Sequence, residues 1–235
     1  MATQIWCLED NDLFSHLDAD ELERLEACCR MRTFGARSPI YLPGEPAESV
    51  FLLVEGLIKV CNLTGDGKQS ILAYVEPGEV FGELAMFDGE QREEYVESVD
   101  ETTVVVIPAS ELQKLMVSSH DLSIAMTKMV CLRRHRIERR LKNLLFLSNR
   151  ERLMHLLLDL SEQFGVEDPD GIRLRIKLAH QEIANLMGST REAVTILLGH
   201  FKAEGLISID RRQIVLTDVE RLAAFVNRKV ALHVA

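Results

Sequence analysis

From about Thr33 to Ile107 the apolar residues fall in short runs rich in β-branched and aromatic side chains: SVFLLVEGLIKVCNL, QSILAYVEPGEVF and TTVVVIP. Such runs, separated by turns, read as strands. Asp66-Gly67 between two of them is a hairpin signal, and glycines recur at 44, 56, 67, 78, 82 and 89. This punctuation predicts an antiparallel sandwich or roll. The period then changes. Asp121 to Phe146 contains no Gly or Pro, and Met126, Val130, Ile137, Leu141 and Leu144 fall at helical spacing. That is one long helix with a narrow apolar stripe, able to pair with a second copy or to pack on the roll. Ser148-Asn149-Arg150-Glu151 is a capping box and starts a new helix. After the polar loop GVEDPDG come a strand, two helices, a hairpin and a closing helix, the last capped by Thr217 and Glu220.

Charge changes the picture more than length or composition does. The chain of 235 residues carries a net charge of −10, which at first argues against a nucleic-acid partner. Residues 1–119 hold 8 Lys/Arg against 23 Asp/Glu (−15), residues 120–147 hold 7 against 2 (+5), and residues 148–235 hold 12 of each. The acid is confined to the front, so any DNA-binding part would have to sit behind it. Three regions follow: a β-roll at 1–119, a long helix at 120–147 and a second domain at 148–235. No apolar run approaches the ~20 residues of a membrane span, and MATQIWCLED has neither the basic start nor the apolar core of a signal peptide. Five cysteines without framework spacing fit reduced thiols. A cytoplasmic protein is expected.

The order helix, tight turn, helix, hairpin in the last region matches a winged helix-turn-helix. Ala184 is small where the two helices would cross, and Gly188 occupies the turn. Ser189 and Glu192 suggest a capping box on the second helix. Its first exposed residues would be Thr190, Arg191, Glu192 and Thr195, with Gln181 on the preceding helix and Arg211-Arg212 at the hairpin tip. Arg pairs with guanine O6/N7, and Glu accepts from cytosine N4.

At this point the chain resembles the CRP/FNR family of bacterial transcription regulators over nearly its whole length. The resemblance is carried by PGEVFGELAMF, the long helix and HQEIANLMGSTREAVTILL, in family order. It implies an α+β protein with an N-terminal β-jelly-roll like a cyclic-nucleotide-binding domain, a long dimerisation helix and a C-terminal winged helix-turn-helix. It further implies a homodimer on an inverted repeat of double-stranded DNA, contact with RNA polymerase, and an effector-controlled rearrangement near Ser148. Two departures stand out. Ile196 occupies a position where many members carry a base-reading Arg, and Ala179 replaces the usual Thr cap. The familiar operator sequence is therefore not expected.

In cAMP-binding members, the resemblance places the ribose side of the nucleotide against Gly82, Glu83 and Leu84. An Arg-Ser pair holds the cyclic phosphate, and a Thr-Ser pair on the long helix holds the base. Ungapped matching puts Glu93 and Glu94 at the first pair, and Ile137 and Glu138 at the second. Arg92 would substitute only through a one-residue slip, which within a strand would reverse every side chain. Two carboxylates in place of a phosphate-binding pair invert a Coulombic interaction of roughly 4 kcal/mol at ~4 Å, so cAMP is not the expected effector. Arg133, Arg136 and Arg140 on the helix are candidate partners for Glu93 and Glu94. They could equally grip an anionic effector or form a solvated face.

Cys7, Cys28 and Cys29 lack iron–sulfur spacing, and His16, His120 and His135 are isolated, so neither a cluster nor haem is expected. GDGKQS is a turn rather than a P-loop. No nucleophile or metal constellation appears, so an enzyme is not expected. The competing class is a nucleotide-binding-like sensory module that works through protein partners, with a degenerate DNA-binding domain.

Overall fold

The computed structural model describes residues 8, 11–65, 69–87 and 91–228, and its contacts divide the chain into two compact units, Met1–His135 and Arg136–Ala235. The first unit contains two four-stranded antiparallel sheets. One has the order β1 (Arg30–Phe34), β8 (Thr102–Pro108), β3 (Ser49–Glu55), β6 (Val80–Phe81). The other has β2 (Pro39–Tyr41), β7 (Tyr95–Ser98), β4 (Ile58–Leu63), β5 (Gln69–Val75). The expected roll is present. Asp66-Gly67 and Gly89 lie outside the described residues, although β4 and β5 pair antiparallel from Ile58↔Val75 to Leu63↔Gln69.

The uninterrupted VFLLV and VVVI runs follow from strands buried on both faces. Along β3, Val50 and Leu52 join one core, while Phe51 and Leu53 join the other. Successive side chains of a strand point to opposite faces, so each strand feeds two cores. The outer core also takes Leu25 of helix α1 (Ala19–Cys28), Leu112 of α2 (Ala109–Ser118), and Leu122 and Met126 of the long helix α3 (His120–Phe146). Met126, counted with the apolar stripe from sequence, is thus buried on the roll, as is Leu122.

In the second unit Ser148 caps α4 (Asn149–Phe164) through a full box with Glu151. Leu153, Met154, Leu156, Leu157, Leu158, Leu160 and Phe164 make α4 apolar on most of its circumference, as befits a central helix. Around it stand α5 (His180–Met187), α6 (Arg191–Ala203), α7 (Val219–Phe225) and a sheet of order β11 (Ile207–Asp210), β12 (Gln213–Leu216), β10 (Gly171–Leu174), β9 (Gly165–Asp168). Three local expectations change. GVED is a strand, because its backbone pairs with β10 from Gly165↔Leu174 to Asp168↔Gly171. Asp218, not Thr217, caps α7 by accepting from Arg221 N at 2.9 Å, while Thr217 Oγ1 donates to Gly205 O at 2.7 Å. Thr190, not Ser189, caps α6. In each cap the side-chain oxygen accepts from the backbone N–H three residues on, Ala193 N for Thr190 and Arg221 N for Asp218, which satisfies a donor left free by the first helical turn.

At the foot of this unit, Arg139 of α3 and Arg228 both reach Asp159 of α4, at 2.6 and 2.7 Å. Arg228 also binds Glu162 at 2.7 Å. His155, one turn before Asp159, prefers its neutral form: burial lowers its pKa, and Arg228 lowers it further.

Candidate functional site: a closed roll pocket and an open DNA-reading face

Gly82 adopts a left-handed backbone (φ 70°) before the 3₁₀ turn Glu83–Met86. A Cβ at Gly82 would stand 2.8 Å from Arg92 Nη1, so glycine leaves the space that this guanidinium occupies. Arg92 is buried, donates to Gly82 O at 3.0 Å and also to Ser49 O. Its guanidinium carbon lies 4.4 Å from the Tyr41 ring centroid and 5.3 Å from that of Phe51. Phe51 stacks in turn on Phe81, with centroids 5.1 Å apart. Burial pulls Arg92 below its ordinary value, with Tyr41 and Glu94 opposing. A cation over aromatic faces is favoured more strongly where water is excluded.

The carboxylates beside it are also held. Glu83, buried, is gripped by Arg133 Nη1 at 3.0 and 3.1 Å, and Arg133 Nη2 donates to Val80 O at 2.8 Å. Glu94 accepts from Tyr41 OH at 3.0 Å. Burial raises the Glu94 pKa, and Glu83 raises it further, against the Tyr41 hydrogen bond. Burial and then Glu94 hold the Tyr41 phenol protonated far above its usual range.

This geometry corrects the expected pairing. Arg133 does tie the long helix to the roll, but through Glu83, whereas Glu93 is exposed and Glu94 belongs to Tyr41. Arg92, set aside as requiring a strand slip, is the residue that turns inward. Strand β7 begins only at Tyr95; Arg92 lies before it and exchanges backbone hydrogen bonds with Gly44 and Glu45 at 2.8 Å, a placement that turns its side chain inward with no slip of β7. Leu84 is exposed on the lip. Ile137, Glu138 and Arg136 lie exposed on α3 within the second unit, and Arg140 is half-buried there. Sequence reasoning missed Tyr41 altogether; an aromatic alternating into a roll interior looks like ordinary core. Cys28 and Cys131 are free and exposed, Cys61 is buried, and among the described residues no group of His, Cys, Asp and Glu is arranged to hold a metal.

The other candidate site is built differently. Gly188, with φ 61°, ends α5 and makes the turn into α6. Thr190 Oγ1 accepts from Ala193 N at 3.2 Å, and Glu182 closes the start of α5 by accepting from Ala179 N at 2.8 Å. This half-box compensates for the absent Thr cap. Thr190, Arg191, Glu192, Thr195 and Ile196 are exposed on α6, and Gln181 is exposed on α5, where it donates to Asn185 Oδ1 at 2.9 Å. The β11–β12 hairpin has a two-residue turn, since Asp210 pairs with Gln213. Its central residues Arg211 and Arg212 both have positive φ, 45° and 69°. A type I′ turn normally takes Asn-Gly; two arginines here cost of order 1 kcal/mol each, and such strain gathers at functional sites. Among the described residues Arg191, Glu192, Arg211 and Arg212 have no side-chain ion pair.

A roll of two antiparallel sheets, a long helix and a winged helix-turn-helix, in that order, are the parts of a DNA-binding transcription regulator. Residues 31–119 match the cyclic nucleotide-binding domain family, and residues 151–225 match the Crp-like helix-turn-helix domain. The chain is 33% identical to the global nitrogen regulator of Synechocystis over 79% of its own length and 84% of the relative's. It is 27% identical to a CRP-like cAMP-activated global transcriptional regulator of Mycobacterium tuberculosis, over 78% and 82% of the two chains. The c-di-GMP responsive regulator CLP of Xanthomonas campestris superposes with a TM-score of 0.73 at 26% identity, covering 85% of this chain and 99% of the other. The chain belongs to the CRP/FNR family of transcription regulators, and its relatives are regulators, not enzymes. No helix among the described residues is long and apolar enough to cross a membrane.

Proposed function

We propose that this regulator binds an inverted repeat of double-stranded DNA as a homodimer, acts with RNA polymerase in the bacterial cytoplasm, and does not respond to cAMP. The roll at 1–119 senses, the helix at 120–147 dimerises, and 148–235 reads DNA through Gln181, Thr190, Arg191, Glu192, Thr195, Arg211 and Arg212. The observation that carries the cAMP reading is the mutual satisfaction of the pocket's charges. A cyclic nucleotide needs a free cation for phosphate and a free carboxylate for ribose. Arg92 is committed to two carbonyls and two rings, and Glu83 to Arg133. Family membership does not fix the ligand, since one relative is named cAMP-activated and another c-di-GMP responsive.

The dimer reading rests on Ile137, Leu141, Leu144 and Leu145 of α3, which share one face of the helix and are between 40% and 65% exposed. A stripe of this size on one helix favours coverage by a second copy. The reading with a degenerate DNA-binding domain is disfavoured by the strained arginine wing, which has no structural reason to persist.

Thermal unfolding and gel shift with and without saturating cAMP test the proposal together. A ligand at a hundred times its Kd adds about 2.7 kcal/mol of stability; no shift and unchanged DNA affinity are expected. A cAMP-dependent rise in either would overturn the closed pocket. Sedimentation should give a dimer at micromolar concentration, and a monomer would overturn the assembly.

A further inference from the structure

Thr195 lies on the exposed face of α6, and its hydroxyl is engaged inside the protein. Oγ1 donates to Arg191 O at 2.9 Å and lies 2.8 Å from His180 Nδ1. A threonine has one hydroxyl proton. The carbonyl can only accept, so that proton goes to Arg191 O, and His180 Nδ1 is the donor of the second bond. The hydroxyl then has no proton left for purine N7, guanine O6 or thymine O4. Toward a base edge Thr195 therefore offers no donor; it keeps its methyl group and one acceptor lone pair on the hydroxyl oxygen. The next residue, Ile196, is 59% exposed, an apolar side chain where a polar reader would be expected. Gly199, one turn after Thr195, is exposed and a Cβ there would meet nothing within 4 Å. Glycine in mid-helix weakens it by about 1 kcal/mol relative to alanine, and nothing inside the protein requires it. Residues four apart share a face, so this face can approach a duplex closely.

We propose that Thr195 and Ile196 form a methyl-reading surface, with His180 as the positioning residue, and that the operator carries thymine opposite them. The major groove shows the thymine 5-methyl as its one apolar mark, and threonine methyls and aliphatic side chains match it. The reading rests on DNA binding through α6.

Sites are first selected from random duplex DNA with the full-length protein. Each thymine of the selected half-site is then replaced by deoxyuracil, which removes only the 5-methyl. One or two adjacent thymines should each weaken wild-type binding by about fourfold on this exchange, the value of one buried methyl. Thr195→Val should keep the sensitivity and Thr195→Ser should lose it, while Ile196→Ala should lose it at the neighbouring step. His180→Ala should blunt the effect and His180→Asn, which can still donate, should retain it. A half-site with no deoxyuracil-sensitive thymine overturns the proposal. So does selectivity that survives in Thr195→Ser but not in Thr195→Val, since the hydroxyl would then be the reader. Salt-dependent binding that Arg191→Ala weakens would persist in either case, so failed methyl reading is distinguishable from failed DNA binding.

Discussion

The roll pocket and the DNA-reading face treat charge in opposite ways. In the roll, Arg92, Glu83, Arg133, Glu94 and Tyr41 lie buried or half-buried and are bound to one another or to backbone. On α6 and the wing, Arg191, Glu192, Arg211 and Arg212 are exposed, and two of them sit in strained backbone. A buried charge must find its partner within the fold, because desolvation is costly. An exposed charge can wait for one. The charges of the roll are therefore paired within the fold, and those of α6 and the wing are left open to a partner outside it.

The largest test falls on the pocket. Glu83 and Arg133 are 8% and 19% exposed in their side chains. Arg133→Ala strands a buried carboxylate and should cost about 3 kcal/mol of stability; Arg133→Met with Glu83→Gln should recover most of it in calorimetry. A neutral Arg133→Ala would mean that the pocket is not closed, and the contrast would collapse. On the open side, Arg191→Ala should remove about 1–3 kcal/mol of discrimination at one base pair while leaving the melting temperature unchanged. Replacing Arg211-Arg212 by Asn-Gly should separate stability from binding. Relief of the turn should stabilise the protein by about 1 kcal/mol or more, and the slope of log K against log salt should become shallower by about two.

The smallest effect should come from His155. Its folded pKa is depressed by burial and by Arg228, so the unfolded chain takes up the proton first as pH falls. The stability contributed by the neutral form is present above the ordinary imidazole value of about 6.5 and declines as pH drops through it. His155→Gln should flatten the melting temperature between about pH 5 and pH 7.5.

Much of the fold was legible because it is written in local periods. The VVVI run of β8, the unbroken helix ending at Phe146 and the Ser148 box each depend on neighbours in sequence. Strand β9 was missed because GVED carries little β propensity, and its pairing with β10 supplies the hydrogen bonds that composition does not advertise. The recognition-helix residues were readable for a similar reason: helical spacing alone puts Arg191, Glu192 and Thr195 near one exposed end. The pocket was only half legible. Its glycine turn could be located, but the side chain filling the turn could not.

What the sequence determined by itself is the order of the main elements, though not strand β9, the acid front and neutral rear, and the class of protein these make. The tertiary structure decided partnership. It chose Glu83 over Glu93 and Glu94 for Arg133, turned Arg92 under Gly82, gave Tyr41 to Glu94, and set His180 against the Thr195 hydroxyl. Secondary structure follows periods of two and 3.6 residues. Hydrogen bonds and ion pairs across 50 positions of chain, as between Glu83 and Arg133, depend on ångström-scale placement that no local period encodes.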